Sequence, residues 1–278
     1  MKKIGFLGCG QMGRAILSGL LNEKAVKAEQ IIVAAKTSAE QTAQKYKVTA
    51  LSALELLLEA DEVFLGIKPY QLHVLEPWLN DQKVQQRLNE RKLVVMSMLA
   101  GTSFAQLETV FPKSVTLVRI MPNLPAQIGY GLTLTCIDPR LSDKQTEQLK
   151  IRCAKLLEPL GQVESLQKES DFHAATAISG CGPAYLFNVI EALADAGVHE
   201  GLPRSMALRL AAHTVLGSGH LAVYEHPAIL KDRVTSPAGV TIAGVRVLEK
   251  QGVRSAFFEA VIAASERSKT MEKNKREI

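Results

Sequence analysis

One segment near the start limits what this chain can fold into. Lys3 to Gly8 is a short apolar run, Gly8-Cys9-Gly10-Gln11-Met12-Gly13 follows at once, and Arg14 to Leu21 reads as a helix. The pattern G-x-G-x-x-G thus sits in a strand–turn–helix setting. There the first glycine makes a tight turn, the second lets the backbone approach a pyrophosphate, and the third packs helix against strand. Gly8, Gly10, Gln11, Met12 and Gly13 are therefore candidates for cofactor contact. Without a ligand the same residues make only a glycine-rich turn.

The next strand selects the cofactor. It is expected from Gln30 to Ala35. Sites that use NAD place an Asp or Glu near this point, where it bonds the ribose hydroxyls. Here the chain reads Ala35-Lys36-Thr37-Ser38. It offers a cation and two hydroxyls, and no acid to repel a 2′-phosphate. NADPH is the expected cofactor, NADH the less favoured one, with Ala35, Lys36 and Thr37 at the phosphate. Taken alone, Lys36 also reads as a solvated surface lysine.

Alternation continues. A helix is expected over Ala50 to Glu59, and strands over Glu62 to Ile67, Lys92 to Met98 and Ser114 to Ile120. Repeated β–α units of this size make a parallel sheet with helices on both faces. Ligands of such sheets bind outside the carboxyl ends of the strands. Ile67, Lys68, Pro69 and Ala100 stand at those ends and join the cofactor candidates. Tyr130 to Cys136 alternates like an edge strand. Ser142 to Leu157 reads as a helix capped by Ser142.

The character changes after about Gly161, and from His173 onward no strand is evident. Ala174 to Ala196 is apolar nearly all round, broken at Ser179-Gly180-Cys181-Gly182-Pro183. A helix with no polar face must be buried on all sides. In a domain this small, that points to a second subunit. Another helix is expected over Pro203 to Glu225, and a last one from about Thr241 through Ile262 toward a basic tail. His213 and His220 have no third ligand near them, so no metal is expected. The fold class is α/β: an N-terminal Rossmann-like dinucleotide-binding domain over 1–163, then an all-α dimerisation and substrate domain over 164–278.

Val234-Thr235-Ser236-Pro237-Ala238-Gly239-Val240-Thr241 is small, polar and turn-prone, and apolar-periodic sequence follows it. It can be a helix–helix turn with a Thr cap. It can also be an anion cradle, because the free N–H groups at a helix start attract carboxylate or phosphate.

Composition limits the partners. The chain has 278 residues, is 47% hydrophobic, and carries 33 Lys and Arg against 28 Asp and Glu, for a net charge of +5. That suits an anionic small molecule. Nucleic acid calls for a basic stripe, and the one dense cluster, Lys269, Lys273, Lys275 and Arg276, reads as a solvated helix end. The opening has no leader-like apolar stretch, and no uninterrupted apolar run reaches membrane-spanning length. The four cysteines, Cys9, Cys136, Cys153 and Cys181, are scattered and form no ligand pair. A reducing cytoplasm is the expected compartment, with neither membrane nor nucleic acid as partner.

Over essentially its whole length the chain resembles the pyrroline-5-carboxylate reductases. The cofactor turn Gly8-x-Gly10-x-Met12-Gly13-x-Ala15-Ile16 is similar, as are Val63 to Pro69 and Arg119-x-Met121-Pro122-Asn123-x-Pro125. The most specific likenesses are Ser179 to Tyr185 and Leu230-Lys231-Asp232-x-Val234 through Ile242. Glu191 to Gly197 and Gly201-Leu202-Pro203 lie between them. Three departures stand out. Cys181 replaces the usual Ser. Ala238 replaces the usual Gly, with Val240 where a small or hydroxylated residue is common. Ser52-Ala53 lies where the family has a cofactor-holding Asn.

The resemblance implies NADPH-dependent reduction of L-1-pyrroline-5-carboxylate to L-proline. It places the substrate carboxylate on Ser236, Gly239, Val240 and Thr241, with the N–H groups of the last three as donors. It places the Thr241 hydroxyl near the imine nitrogen, to deliver a proton or orient a water. Asp232 and Glu191 either favour the protonated imine or serve as structural ion-pair partners. The resemblance also implies a homodimer of interleaved helical domains, with a decameric ring of dimers as a further assembly, and a substrate loop facing a cofactor domain across the interface. Two rival readings keep the same motifs: an NADP-dependent reductase of another imine or small acid, and a non-catalytic paralogue acting as a nucleotide-binding regulatory module.

Overall fold

The computed structural model describes residues 2–273, so Lys275 and Arg276 of the expected basic tail lie outside it. The first half alternates as the pattern requires. It runs β1 (Ile4–Leu7), α1 (Gln11–Asn22), β2 (Ile31–Ala34), α2 (Ala39–Tyr46), β3 (Thr49–Ala50) and α3 (Ala53–Glu59). Then come β4 (Glu62–Leu65), α4 (Glu76–Leu79), α5 (Gln82–Glu90), β5 (Leu93–Ser97), α6 (Phe104–Leu107) and β6 (Val115–Met121). β7 (Gly131–Ile137), α7 (Asp143–Leu157), β8 (Gly161–Leu166) and α8 (Phe172–Ser179) complete it.

The eight strands form one sheet in the order β3-β2-β1-β4-β5-β6-β7-β8. All neighbours are parallel except β6 and β7. β1, β2 and β4 are buried at every residue, as strands covered on both faces must be. Successive side chains then feed two separate cores. Ile4, Phe6 and Phe64 pack with Ile16, Leu17 and Leu20 of α1 and Leu156 and Leu157 of α7. Leu7, Val63 and Leu65 pack with Leu56 and Leu57 of α3 and Val84 and Leu88 of α5. Phe6 and Phe64 stack at 4.9 Å across neighbouring strands.

Four sequence expectations are corrected. Thr49–Ala50 is a strand rather than the start of a helix, because Ser52 caps α3 from its N-cap position. Tyr130 to Cys136 is not an edge strand: β7 pairs with β6 on one side and β8 on the other. β8 itself went unseen, since its half-exposed Gly-Gln-Val-Glu-Ser-Leu is a weak pattern, and a boundary at 163/164 falls inside it. The last helix breaks at Gly252, whose φ is +69°.

By internal contacts the chain forms two compact units, 2–180 with 264–273, and 181–263. The second contains α9 (Gly182–His199), α10 (Arg204–Ala222), α11 (Pro227–Arg233), α12 (Val240–Lys250) and the first part of α13 (Val253–Lys273). Its core is small: Ala194, Ala207 and Ala211, with Ile190 and Val198 against them. Leu186, Phe187, Leu193, Leu210, Leu216 and Phe258 stay exposed in the single chain. The segment Glu169–His199 does meet a length-and-apolarity criterion for crossing a membrane, at mean hydropathy 1.2. Its apolar residues do not form one uninterrupted run, since α8 ends at Ser179 and α9 begins at Gly182.

Candidate functional site

The sheet order brings the cofactor candidates together. β2, β1, β4 and β5 are adjacent and parallel, so the turns that follow them emerge along one edge. The order reverses between β1 and β4, which opens a crevice there. Gly8 has φ +82°, and a Cβ on it would lie 2.7 Å from the Gly66 carbonyl carbon and the Ile67 nitrogen. A Cβ on Gly66 would lie 2.7 Å from Gly8 O. The turns after β1 and β4 thus pack backbone on backbone. A Cβ on Gly13 would come within 3.3 Å of Gly8 O, which keeps α1 close to the turn. Arg14 fixes the middle of the turn by donating from Nη1 to Cys9 O at 3.1 Å.

Gly10 differs. A Cβ there would meet nothing within 4 Å, and its φ of −73° is open to any residue. No contact among the described residues requires a glycine at this position, so the open space suits a ligand. Gly10 is the N-cap of α1, with no side-chain cap and no acid in the first turn. The N–H groups of Gln11, Met12 and Gly13 are left for an anion. This is the fit expected of a dinucleotide pyrophosphate. Burial pushes the Cys9 thiol up to about 11, so the turn carries no thiolate.

Beyond the end of β2 lies a recess of about 680 Å³ lined by Ala35, Lys36, Thr37, Ala39, Glu40, Ala50, Leu51, Ser52 and Glu55. Lys36 and Thr37 are exposed in it, as a phosphate contact requires. Ser52 lies where the resemblance has a cofactor-holding Asn; Glu40 and Glu55 carry acids into a place the sequence reading left without one. The signal available for Glu55 was its capping-box spacing from Ser52. On the β4 side, Ile67 and Pro69 are half-buried and Lys68 exposed. The Lys68 N–H donates to Gln71 Oε1 at 3.1 Å. Ala100 is exposed after β5, next to Gly101, which has φ +63° and where a Cβ would lie 2.9 Å from Met271 Cβ.

The segment 234–241 lies in the second unit. Thr235 Oγ1 donates to Lys231 O at 2.6 Å and anchors its start. The Gly239 N–H donates to Ser236 O at 3.1 Å, which closes a turn with Pro237 and Ala238 at its centre. The type II form of such a turn has φ > 0 at the second central residue, usually glycine, and Ala238 adopts φ +55°. A Cβ on Gly239 would overlap Ser236 Oγ, so the exposed Ser236 side chain would have to rotate to admit one. Thr241 is not the helix cap. α12 begins at Val240 with Gly239 as N-cap and no side-chain cap bond, so the first N–H groups remain free. Val240 is 93% exposed, and Ser236 and Thr241 are also exposed. Asp232 and Glu191 are exposed and enter no ion pair among the described residues.

Comparison with known proteins bears on both units. A pyrroline-5-carboxylate reductase of Synechocystis is 38% identical over 276 residues, covering 98% of each chain. This chain belongs to the pyrroline-5-carboxylate reductase family. The reductase of Escherichia coli is 37% identical over 281 residues, covering 98% of this chain and 99% of its own. The family model described as pyrroline-5-carboxylate reductase dimerisation matches residues 169–271. One described as NADP oxidoreductase, coenzyme F420-dependent, matches residues 3–100. A crystal structure of the Plasmodium falciparum pyrroline carboxylate reductase with NADP bound superposes with a TM-score of 0.81 at 30% identity, over 98% of each chain. The reductase fold is thus a mostly parallel, Rossmann-like sheet followed by a helical dimerisation region.

Proposed function

We infer that this chain reduces L-1-pyrroline-5-carboxylate to L-proline with NADPH, the last step of proline formation. Family membership over the full length carries the reading. The glycine turn and the 234–241 segment support it by presenting free N–H groups to two anions. NADPH, when bound, supplies a hydride.

The chain's own residues bind and orient. The first N–H groups of α1 receive the pyrophosphate, Lys36 and Thr37 the 2′-phosphate, and Ile67, Lys68, Pro69 and Ala100 contact the rest of the dinucleotide. The N–H groups of Val240 and Thr241 hold the substrate carboxylate, with the Ser236 hydroxyl beside them; the Gly239 N–H, expected as a third donor, is already bonded to Ser236 O. The Thr241 hydroxyl provides the imine nitrogen with its proton, directly or through a water. As the imine carbon gains hydride and the nitrogen a proton, the C=N bond becomes the C–N bond of proline. A protonated imine is the better acceptor, so no strong base is needed. The carboxylates of Asp232 and Glu191 favour that cation.

The working unit is a homodimer through the helical region after β8, with the cofactor domain ahead of it in the chain, and a decameric ring of dimers is the larger assembly. The exposed apolar side chains of α9 and α10 support association. A cytoplasmic location agrees with four free thiols. The test is loss of NADPH absorbance with pyrroline-5-carboxylate, run beside other cyclic imines and small keto acids and repeated with NADH. Turnover restricted to another imine, or better efficiency with NADH, overturns the substrate or cofactor assignment respectively.

A further inference from the structure

The recess that holds Lys36 and Thr37 also holds a carboxylate that is fixed in place. Glu55 Oε2 accepts from the Ser52 N–H at 2.9 Å and from Ser52 Oγ at 2.7 Å. In return the Glu55 N–H donates to Ser52 Oγ at 3.2 Å. The Ser52 bonds hold the Glu55 carboxyl below the usual range, so it is ionised at neutral pH. Both bonds end on Oε2, which leaves Oε1 for a donor from outside the chain. Glu40, in the first turn of α2, lines the same recess without any such support.

A cation on a flexible stem and an anchored anion therefore share one ligand-sized space. Their effects on the adenosine ribose oppose each other. A 2′-hydroxyl donates to a carboxylate. A 2′-phosphate, at about −1.5 to −2 charge, is repelled by it. We propose that Glu55, held by Ser52, is a specificity-determining residue that weakens the preference for NADPH over NADH by opposing Lys36 at the 2′-position. The proposal rests on assigning this recess to the adenosine half of the cofactor.

The experiment reads nucleotide binding, not turnover. Dissociation constants for NADPH and NADH are measured by calorimetry on the full chain, without imine, at low and high ionic strength. Glu55→Gln removes the charge and keeps the capping box, which accepts Glu or Gln. The Kd ratio, NADH over NADPH, is expected to rise about fivefold at low salt, the size of one carboxylate acting on a phosphate dianion under water-like screening. The rise should shrink at high salt. Ser52→Ala, which frees the carboxylate to swing away, should give a smaller rise. Lys36→Gln should move the ratio the other way. An unchanged ratio in Glu55→Gln, or equal changes in both constants, overturns the proposal if Lys36→Gln still shifts it. No shift in either variant removes the adenosine assignment itself.

Discussion

The glycine turn allows its folding role and its binding role to be separated by two substitutions of the same size. Gly8→Ala adds a methyl at φ +82°, against backbone atoms 2.7 Å away. The left-handed strain costs about 1–2 kcal/mol, and forcing the two turns apart about 1–3 kcal/mol more. Together that lowers Tm by roughly 5–15 °C in a unit of this size. Gly10→Ala adds the same methyl where nothing lies within 4 Å, at a φ alanine accepts. Its Tm should stay within about 1 °C, since a surface change of this kind is worth under about 0.5 kcal/mol. Its effect falls on the ligand. A hydrogen bond to an ionised group is worth about 1.5–3 kcal/mol. Holding a pyrophosphate off by one methyl and losing one such bond weakens NADPH binding about 10- to 100-fold. Thermal unfolding and calorimetric titration on both variants make the comparison. Gly10→Ala that binds NADPH like the parent would falsify the pyrophosphate reading. Gly10→Ala that melts as low as Gly8→Ala would show that the space beside Gly10 is not open.

Further outcomes follow from other parts of the chain. Thr241→Ala should lower turnover about a hundredfold, the low end of what a positioned proton donor contributes, and leave the Kd for NADPH within about twofold. Unchanged steady-state turnover removes its role. Ala238→Gly relieves about 1–2 kcal/mol of left-handed strain and adds about 0.4–1 kcal/mol of unfolded-chain entropy. Its unfolding midpoint should match or exceed the parent's, and a clear fall would mean Ala238 is not left-handed in solution. Glu62 is 2% exposed and pairs with Arg152 through two bonds of 2.8 Å and with Lys2 at 3.0 Å. Burial pushes its carboxyl up, and the Arg152 and Lys2 bonds more than reverse that, leaving it below the usual range. With the folded pKa depressed, its stabilisation is complete above the unfolded value of about 4.3 and disappears as pH falls through the folded one. Arg152→Met should cost about 1–3 kcal/mol, less than for a fully buried pair because Arg152 is partly exposed. Urea titrations from pH 7 down to 3 should show that cost disappearing in acid, and a constant difference would exclude the linkage.

Much of the fold was legible in the residues because local chemistry dictated it. A run such as Ile-Gly-Phe-Leu before a glycine turn has few conformations open to it, and buried parallel strands leave unbroken apolar runs. The five strands expected up to residue 120 appear within one or two residues of their places, as does α7, and α1 begins three residues early at Gln11. The glycine turn, Lys36-Thr37 and the 234–241 loop were likewise visible, since each needs particular residues at fixed spacing. β8 was not, because a half-exposed strand is held by its pairing with β7 more than by its own pattern. The break at Gly252 was hidden because apolar periodicity continues through it.

The sequence by itself determined the alternating units, the cofactor turn and the family, all of which depend on residues near one another in the chain. Tertiary structure alone decided which glycines answer to the fold and which to a ligand. Gly8 and Gly66 are required by each other's backbone and Gly10 by neither, a difference set by strands 58 residues apart. It also decided that Glu55 shares a recess with Lys36, and that Ala238 carries a positive φ where its side chain alone would choose otherwise. Such relations come from the packing of distant backbone segments, and no local pattern records them.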